Sequence, residues 1–152
     1  MYQQILVAVD LSKESSLILK KASALANLHH AKLHVLHVDQ SFLGTYDGLV
    51  NINEADFEAR LEEESINAMR ALFADNKMLV DNKMLVDNKM LVDKYFISSG
   101  NIDDEILHAL KQQAIDLVVF GHHKSSALRQ FFLSISEPII REMPCDVVLL
   151  KI

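Results

Sequence analysis

Short apolar runs alternate along the chain with segments in which apolar residues recur at helical spacing, and this alternation constrains the fold more than any other feature. The first run, Ile5–Val9, is rich in β-branched residues and is followed by Asp10 and Ser12, which predicts a strand buried on both faces of a sheet. The later runs predict four further strands, at Lys32–Val38, Tyr95–Ile97, Leu117–Phe120 and Asp146–Ile152.

Between the predicted strands, apolar side chains fall on one side of a 3.6-residue helical repeat. Three helices are marked in this way, by Ile18, Ala22, Leu25 and Ala26, by Phe57, Leu61, Ala68 and Leu72, and by Ile102, Ile106 and Leu110. A fourth helix is predicted to begin at Ser136–Pro138 and to end before Pro144. Strands that alternate with helices predict an α/β fold, here an open, doubly wound, five-stranded parallel sheet with helices on both faces, of the Rossmann-like type.

The composition is that of one folded unit. The chain has 152 residues, of which 50% are apolar and 24% are charged, so we expect a single domain over residues 1–152. The net charge of −6 disfavours nucleic acid as a partner, because nucleic acid requires a basic face. The sequence has no apolar run near the roughly 20 residues of a membrane span and no recognisable secretory signal. Its single cysteine, Cys145, excludes an intrachain disulfide and fits a reducing compartment, so we expect a cytoplasmic protein.

Residues 75–92 consist of three tandem copies of Asp-Asn-Lys-Met-Leu-Val. A six-residue period does not keep the Met-Leu-Val triplets on one stripe of a helix, whereas equivalent residues of an extended chain share a face. We expect an insertion that lengthens the connection before the strand at Tyr95–Ile97, because the cost of closing a loop grows slowly with its length. The alternative is an adhesive strand used for self-association.

In open α/β sheets, ligands bind beyond the carboxyl ends of the strands. The positions to consider are therefore Asp10, Val38–Asp39 and the segment from Gly121 onward, where Gly-His-His-Lys-Ser-Ser opens a loop rich in hydrogen-bond donors. A glycine after a strand lets the backbone approach a phosphate, and an ordinary turn is the alternative explanation. Asp10 likewise fits two roles, a contact to a ligand and a cap for the following turn or helix.

Several segments recur together in a specific order and spacing: Ile5–Asp10 followed by Ser12, His37–Asp39, Gly100–Leu107, Asp116–His123 and Met143–Leu150. Over nearly the whole chain these segments resemble the universal stress protein family, and Tyr46–Asn53 with the Gly-His-His sequence resembles its A-type branch in particular. The repeat at 75–92 has no counterpart in that pattern. The resemblance implies a five-stranded parallel sheet of the adenine nucleotide alpha hydrolase-like type, a homodimer and a cytoplasmic role in surviving stress or growth arrest.

The resemblance also bears on nucleotide binding, because ATP-binding members of the family resemble Gly-x2-Gly-x9-Gly-Ser/Thr after the fourth strand. In this chain the first glycine is Gly121, but Lys124, Ser134 and Ile135 stand at the other two glycines and at the hydroxyl residue. Lys124 and Ser134 each add a Cβ where the backbone would lie against a phosphate, and Ile135 has no hydroxyl, so we expect no cofactor. The alternative is that ATP or AMP binds at the positions that match the nucleotide contacts of the family: Ala8, Asp10, Val38, Gly121, His123, Lys124, Ser134 and Ser136.

The parts that catalysis or a metal site would require are missing from the sequence. It has no Gly-x-Ser-x-Gly elbow, no Walker lysine and no pair of strand-end carboxylates for magnesium. His122 and His123 are neighbours that point in different directions, and no acid or thiol stands beside them at the spacing of metal ligands. We therefore expect a non-catalytic stress-response protein without a metal.

The last predicted strand offers the dimer contact that the resemblance implies. Its residues Val147–Ile152 are apolar on both faces apart from Lys151, and the expected fold puts the strand at an edge of the sheet. Antiparallel pairing with the same strand of a second copy satisfies both edges. The residues expected at this interface are Val147, Val148, Leu149, Leu150 and Ile152.

Overall fold

The computed structural model describes residues 1–39, 54–77, 79–80, 91–122 and 142–151. In chain order, the elements within these ranges are β1 (Gln4–Ala8), α1 (Ser15–His29), β2 (Lys32–Asp39), α2 (Glu54–Asp75), β3 (Leu79–Val80), β4 (Leu91–Val92), β5 (Lys94–Ser99), α3 (Ile102–Gln112), β6 (Leu117–His122) and β7 (Asp146–Lys151). Five strands form one parallel sheet in the order β5-β2-β1-β6-β7, and β3 pairs with β4 separately. The predicted α/β class with a five-stranded parallel sheet is confirmed.

β1 is the central strand and is buried on both faces. Its residues Ile5–Ala8 are at most 3% exposed, and it pairs in parallel with β2 on one side and with β6 on the other. The chain runs outward from β1 through β2 to β5, and then crosses to the other side of β1 for β6 and β7. The strand order therefore reverses between β1 and β6, where open α/β sheets form a crevice for ligands.

Helices cover both faces of the sheet, as the sequence predicted. α1 and α2 pack on one face, in the core that contains Leu19 and Met69. α3 packs on the other face through its predicted stripe of Ile102, Ile106 and Leu110. Within the described ranges, none of the helices has both the length and the apolar character needed to cross a membrane. The fourth predicted helix start, Ser136–Pro138, lies outside the described residues.

The predicted apolar stripe of α2 is wrong in part. Phe57 is 44% exposed and Ala68 is exposed as well. The buried residues of α2 include Ser65, Met69, Leu72 and Phe73, so the buried face is displaced around the helix by roughly one residue position. The displacement brings the Ser65 hydroxyl against β2, a polar contact that a pattern of apolar residues does not reveal.

The first copy of the repeat takes part in the end of α2. Asp75 is the last helical residue, and the next residue, Asn76, is buried. Its Nδ2 donates to the Leu72 carbonyl at 2.7 Å, and the Ser16 hydroxyl of α1 donates to its Oδ1 at 2.7 Å. Asn76 therefore ends one helix and ties it to another.

The third copy of the repeat takes part in the start of β5. Val92 is fully buried in the core under α1 and α2. The following Asp93 donates its backbone N–H to the Leu33 carbonyl at 2.8 Å and accepts the Leu33 N–H on its carboxylate at 3.0 Å. β3 of the first copy and β4 of the third pair in parallel, whereas residues 81–90 between them lie outside the described residues. Identical hexapeptides thus perform two different structural roles.

Deleting residues 81–86 removes one copy and retains both Asn76 and Val92. We expect the free energy of unfolding to change by less than about 1 kcal/mol, because loop closure depends only weakly on loop length. Urea unfolding measures this change. As a reference, Val92→Ala should cost roughly 1–3 kcal/mol, because it removes methyl groups from a fully buried site. A deletion as costly as Val92→Ala would contradict the assignment of structural roles to the outer copies.

Candidate functional site

The carboxyl ends of three adjacent strands bring several of the predicted site residues to one edge of the sheet. Ala8, near the end of β1, pairs with Leu36 of β2 and Phe120 of β6. Ala8 and Gly121 are buried, and Val38 is half-buried against the core under α3. With Asp10, these residues lie at the point where the strand order reverses. The other predicted positions, His123, Lys124, Ser134, Ile135 and Ser136, lie outside the described residues.

Asp10 caps the turn that leads into α1. Its Oδ1 accepts a hydrogen bond from the Ser12 backbone N–H at 3.0 Å and another from the Ser15 hydroxyl at 3.0 Å. Burial raises the pKa of Asp10, but the hydrogen bonds from Ser12 and Ser15 outweigh burial and hold the pKa below its usual value. Leu11, between Asp10 and Ser12, adopts the left-handed backbone conformation with φ 58°. This conformation costs a residue with a Cβ roughly 1–2 kcal/mol. The carboxylate of Asp10 therefore holds a strained turn in place.

The amino end of α3 lies at the same edge and its amides are already engaged. The Asn101 side chain caps the helix by accepting the N–H groups of Asp103 at 2.9 Å and Asp104 at 3.3 Å. The next amide, that of Glu105, donates to the Asn101 carbonyl. The first turn is acidic, and the pKa of Asp103 is raised by burial and then by the charge of Asp104. This helix end is therefore poorly suited to an anion.

A hydrogen-bonded group joins β1, β2 and α2 just below this edge. His37 Nδ1 lies 2.9 Å from the Val9 carbonyl oxygen, and its Nε2 lies 3.0 Å from Asp39 Oδ1. The Ser65 hydroxyl of α2 donates to the same Asp39 oxygen at 2.7 Å. The sequence marks His37–Asp39 as a motif, whereas no motif in it marks Ser65. The spacing of Ser65 from Met69, one helical turn away, is the signal that could have found it.

A groove of about 500 Å³ opens between α2 and the ends of β2 and β5. Its described lining consists of Asp39, Glu58, Leu61, Glu62, Ile97, Ser98 and Ser99. Every charged side chain in this part of the lining is an acid. Asp10 and the acids in the first turn of α3 lie at the same edge of the sheet, where the parallel strands end. We call this the carboxyl edge, and its described acids give it a negative character.

The described residues contain no group of three or more His, Cys, Asp or Glu side chains that could hold a metal ion. Cys145, the single thiol, is half-buried beside the core under α3. Burial and then the charge of Asp146 raise the pKa of this thiol to about 11. A thiol with such a pKa stays protonated near neutral pH and is a poor nucleophile.

β7 forms one edge of the sheet. Val148 and Leu150 pack against the core under α1 and α2, whereas Val147 is 41% exposed and Leu149 is 52% exposed on the other face. Of the residues predicted at a dimer interface, the structure therefore leaves two apolar side chains on the surface and uses two in its own core. Ile152 lies outside the described residues.

An open, doubly wound sheet whose candidate site lies at the reversal of strand order defines a Rossmann-like α/β domain. The model of the universal stress protein family matches residues 1–151. The chain therefore belongs to the universal stress protein family, which confirms the resemblance seen in its motifs.

The similar sequences are named universal stress protein A and identify a stress-response protein. The Haemophilus influenzae homolog is 37% identical over 82% of this chain and 79% of its own length. The Escherichia coli K12 protein is 32% identical over 81% of this chain and 77% of its own length. These names agree with the A-type resemblance.

Solved structures show the same fold. A universal stress protein from Burkholderia pseudomallei superposes with a TM-score of 0.65 at 20% identity and covers 98% of this chain and 96% of its own. The protein UspA from Lactobacillus plantarum gives a TM-score of 0.65 at 22% identity, covering 98% and 97%. A universal stress protein in complex with cAMP gives a TM-score of 0.54 at 20% identity, covering 99% and 97%.

Asp10→Ala removes the cap from the turn before α1, and we expect a loss of about 1–2 kcal/mol in the free energy of unfolding at neutral pH. Because the pKa of Asp10 is lowered in the folded protein, the stability contributed by its charge is present above the unfolded pKa near 4 and is lost as the pH falls below it. Thermal melts of the two proteins should therefore converge in acid. A difference that stays constant from pH 7 to pH 3 would contradict the role of the carboxylate.

Proposed function

We propose that the chain acts in the cytoplasm as a dimeric interaction protein of the stress response and has no catalytic activity of its own. The stress-response role follows from the family and its relatives. The absence of a nucleotide from the proposal rests on the charge and the occupied hydrogen-bond donors of the described carboxyl edge, where a ligand of this fold would bind. The described lining of its groove carries only acidic charges, and the donors of Ser12, Ser15, Asp103 and Asp104 are occupied by groups of the protein itself.

A polyphosphate ligand is disfavoured on electrostatic grounds. A triphosphate needs free amides or cations close to its oxygens. At the end of β1, the Ser12 amide and the Ser15 hydroxyl are taken by Asp10, and at the start of α3 the amides are taken by Asn101. In the sequence, Lys124 and Ser134 stand at two glycines of the ATP-binding pattern, and Ile135 stands at its hydroxyl residue. The occupied donors, the two missing glycines and the missing hydroxyl leave fewer backbone and hydroxyl contacts for a phosphate, whereas the charge of Lys124 favours the alternative below.

The alternative is an adenine-nucleotide-responsive module. Two observations favour it: one solved neighbour is in complex with cAMP, and Ala8, Asp10, Val38 and Gly121 converge where the strand order reverses. A cyclic nucleotide carries one phosphate charge, so it is less disfavoured by an acidic edge than ATP is. The two functions differ in one measurable property, the affinity for adenine nucleotides.

Isothermal titration calorimetry with ATP, AMP and cAMP distinguishes the two functions. We expect no saturable heat at millimolar nucleotide. The control is a double variant, Glu58→Gln with Glu62→Gln, which removes two negative charges from the groove. If these acids oppose phosphate binding, the double variant should bind ATP more tightly than the unmodified protein does, and the gain should be larger for ATP than for cAMP. Micromolar binding of any of the three nucleotides to the unmodified protein would overturn the non-binding function in favour of the alternative.

Support for a dimer comes from the edge strand β7. Its exposed face carries Val147 and Leu149, and its outer backbone groups have no neighbouring strand in the described sheet. An apolar strand with an open edge is an aggregation liability unless another strand covers it. Antiparallel pairing of two copies of β7 about a two-fold axis would cover both edges and bring the exposed side chains of the two copies together as cross-strand neighbours.

Leu149→Lys tests this dimer. We expect light scattering of the unmodified chain at micromolar concentration to give a dimer. The substitution should weaken association at least about tenfold, because it replaces an apolar cross-strand contact by two like charges brought close across the two-fold axis. Leu28→Lys is the matched control, since Leu28 is also apolar and is 75% exposed, but lies on α1. A monomeric unmodified protein, or an equal effect of both substitutions, would contradict the proposed interface.

A further inference from the structure

His34 of β2 occupies a buried site at the edge of the sheet where the parallel strands begin, which we call the amino edge. The residue is only 3% exposed. Its ring Nε2 lies 2.7 Å from the side-chain oxygen of Gln4 on β1. Its Nδ1 is buried too and has no hydrogen-bond partner among the described residues. We propose that His34 is an acid-sensitive contact, and that a second proton on its ring loosens the end of α3 from the amino edge.

The hydrogen bonding at His34 fits a neutral ring. The Gln4 oxygen can only accept, so Nε2 carries the hydrogen, and Nδ1 of the neutral ring is a lone pair. A second proton would turn Nδ1 into a charged donor that meets no acceptor in the described site. A buried charged donor without a partner is far less favourable than a buried lone pair. The folded structure therefore accommodates the imidazole and opposes the imidazolium.

The charges around His34 oppose a second proton as well. Lys94 of β5 is its partner in the strand register, and Lys32 precedes it on the same face of β2. Burial is the largest cause of the lowered pKa of His34, the charge of Asp93 opposes the shift, and the charges of Lys94 and Lys32 add to it. In the described lining of the pocket beside His34, the residues from β1 and from the end of α3 are neutral. That lining consists of Gln4, Lys32, His34, Asp93, Lys94, Gln112, Gln113 and Ala114.

The end of α3 is the part of this pocket that can yield to a charged ring. The strands at His34 are joined by parallel pairing on both sides of β2, whereas the wall formed by α3 is held less firmly. Ala114 adopts the left-handed conformation with φ 49°, which is strained for a residue with a Cβ. Its N–H donates to the Lys111 carbonyl at 3.4 Å, and Lys94 Nζ donates to Gln113 Oε1 at 3.4 Å. Displacing this wall lets water from the pocket of about 410 Å³ reach the ring.

Proton linkage fixes the direction of the effect. An unfolded histidine takes up its second proton near pH 6.5, whereas folded His34, with its lowered pKa, does so only at lower pH. The stability contributed by the neutral ring is therefore fully present above about pH 6.5 and is lost as the pH falls toward the folded pKa. Within this window, the unfolding equilibrium constant should rise by up to about tenfold for each unit by which the pH falls.

The test compares urea unfolding of the unmodified protein and of His34→Gln between pH 7.5 and pH 5. The amide of the variant can donate to the Gln4 oxygen but does not titrate. Below about pH 6.5, the unfolding equilibrium constant of the unmodified protein should rise relative to that of the variant, by up to about tenfold per pH unit. Both proteins contain Asp10 and Asp103, so the comparison cancels the contributions of these acids. Parallel profiles over the whole range would overturn the proposal.

His108→Gln is the matched control, because His108 is a histidine on the exposed surface of α3. Its pH profile should run parallel to that of the unmodified protein. If His108→Gln and His34→Gln flatten the profile equally, the slope does not come from the buried ring and the proposal is overturned.

Hydrogen exchange tests where the protein loosens. The amides of residues 113–115 are bonded to carbonyls within α3. After correction for the intrinsic exchange rate, their protection should be lower at pH 5.5 than at pH 7 in the unmodified protein, but not in His34→Gln. The amides of β1 should keep their protection in both proteins. An equal loss in β1, or no loss at the end of α3, would overturn the local loosening.

Nitrogen NMR of the histidine rings in the unmodified protein keeps the proposal falsifiable if His34→Gln does not fold. We expect His34 to carry a proton on Nε2 alone at pH 6.5, and to take up its second proton at a lower pH than the exposed His108. A His34 ring that takes up this proton at the same pH as His108, or at a higher one, would overturn the proposal.

Discussion

The burial of β1 on both faces, between two parallel neighbours, is the constraint on which the rest of the structure depends. Residues Ile5–Ala8 have no exposed face, so helices must cover both sides of the sheet, and the chain must cross from one side of β1 to the other. That crossing creates the reversal of strand order between β1 and β6. It also fixes where the chain must turn, at Val9 and Asp10, and so sets the position of the candidate site.

At this edge, polar groups of the protein occupy places that a ligand could otherwise use. The Asp10 carboxylate takes the donors that follow β1, Asn101 takes those of α3, and His37 with Asp39 and Ser65 closes the space between β2 and α2. The carboxylates at Asp10, in the groove and in the first turn of α3 give the described part of this edge a negative charge. The proposed role as an interaction protein without a nucleotide rests on this occupancy, because a polyphosphate needs free donors near its oxygens.

The pattern of apolar residues predicted all five strands of the sheet. The inner strands β1, β2 and β6 are largely buried and rich in aliphatic residues, whereas the edge strands β5 and β7 are only half-buried and were marked by short apolar runs. The pattern also predicted the face of α3, where Ile102, Ile106 and Leu110 all lie in the core. It failed on α2, because the face of that helix is set partly by the hydrogen bond from Ser65 to Asp39, which joins residues distant in sequence. The sequence brought Asp10 and His37–Asp39 to attention, but the pairing of His37 with Val9 depends on the register of β1 and β2.

The tandem repeat shows a second case in which the sequence pattern does not predict the structural role of a residue. Its three copies are identical, so nothing within a copy distinguishes Asn76, which ends α2, from the asparagines of the later copies. Likewise, Val92 is buried because it precedes β5 and not because of its own hexapeptide. The flanking elements decide the role of each outer copy.

Native mass spectrometry of the protein purified from cells is the most direct test of a dimer without a nucleotide. One spectrum gives both the number of chains in the assembly and the mass of any bound small molecule. We expect a species of twice the 17.2 kDa chain mass with no additional mass from a nucleotide. A species that carries an adenine nucleotide through purification, or a chain that remains monomeric, would contradict it.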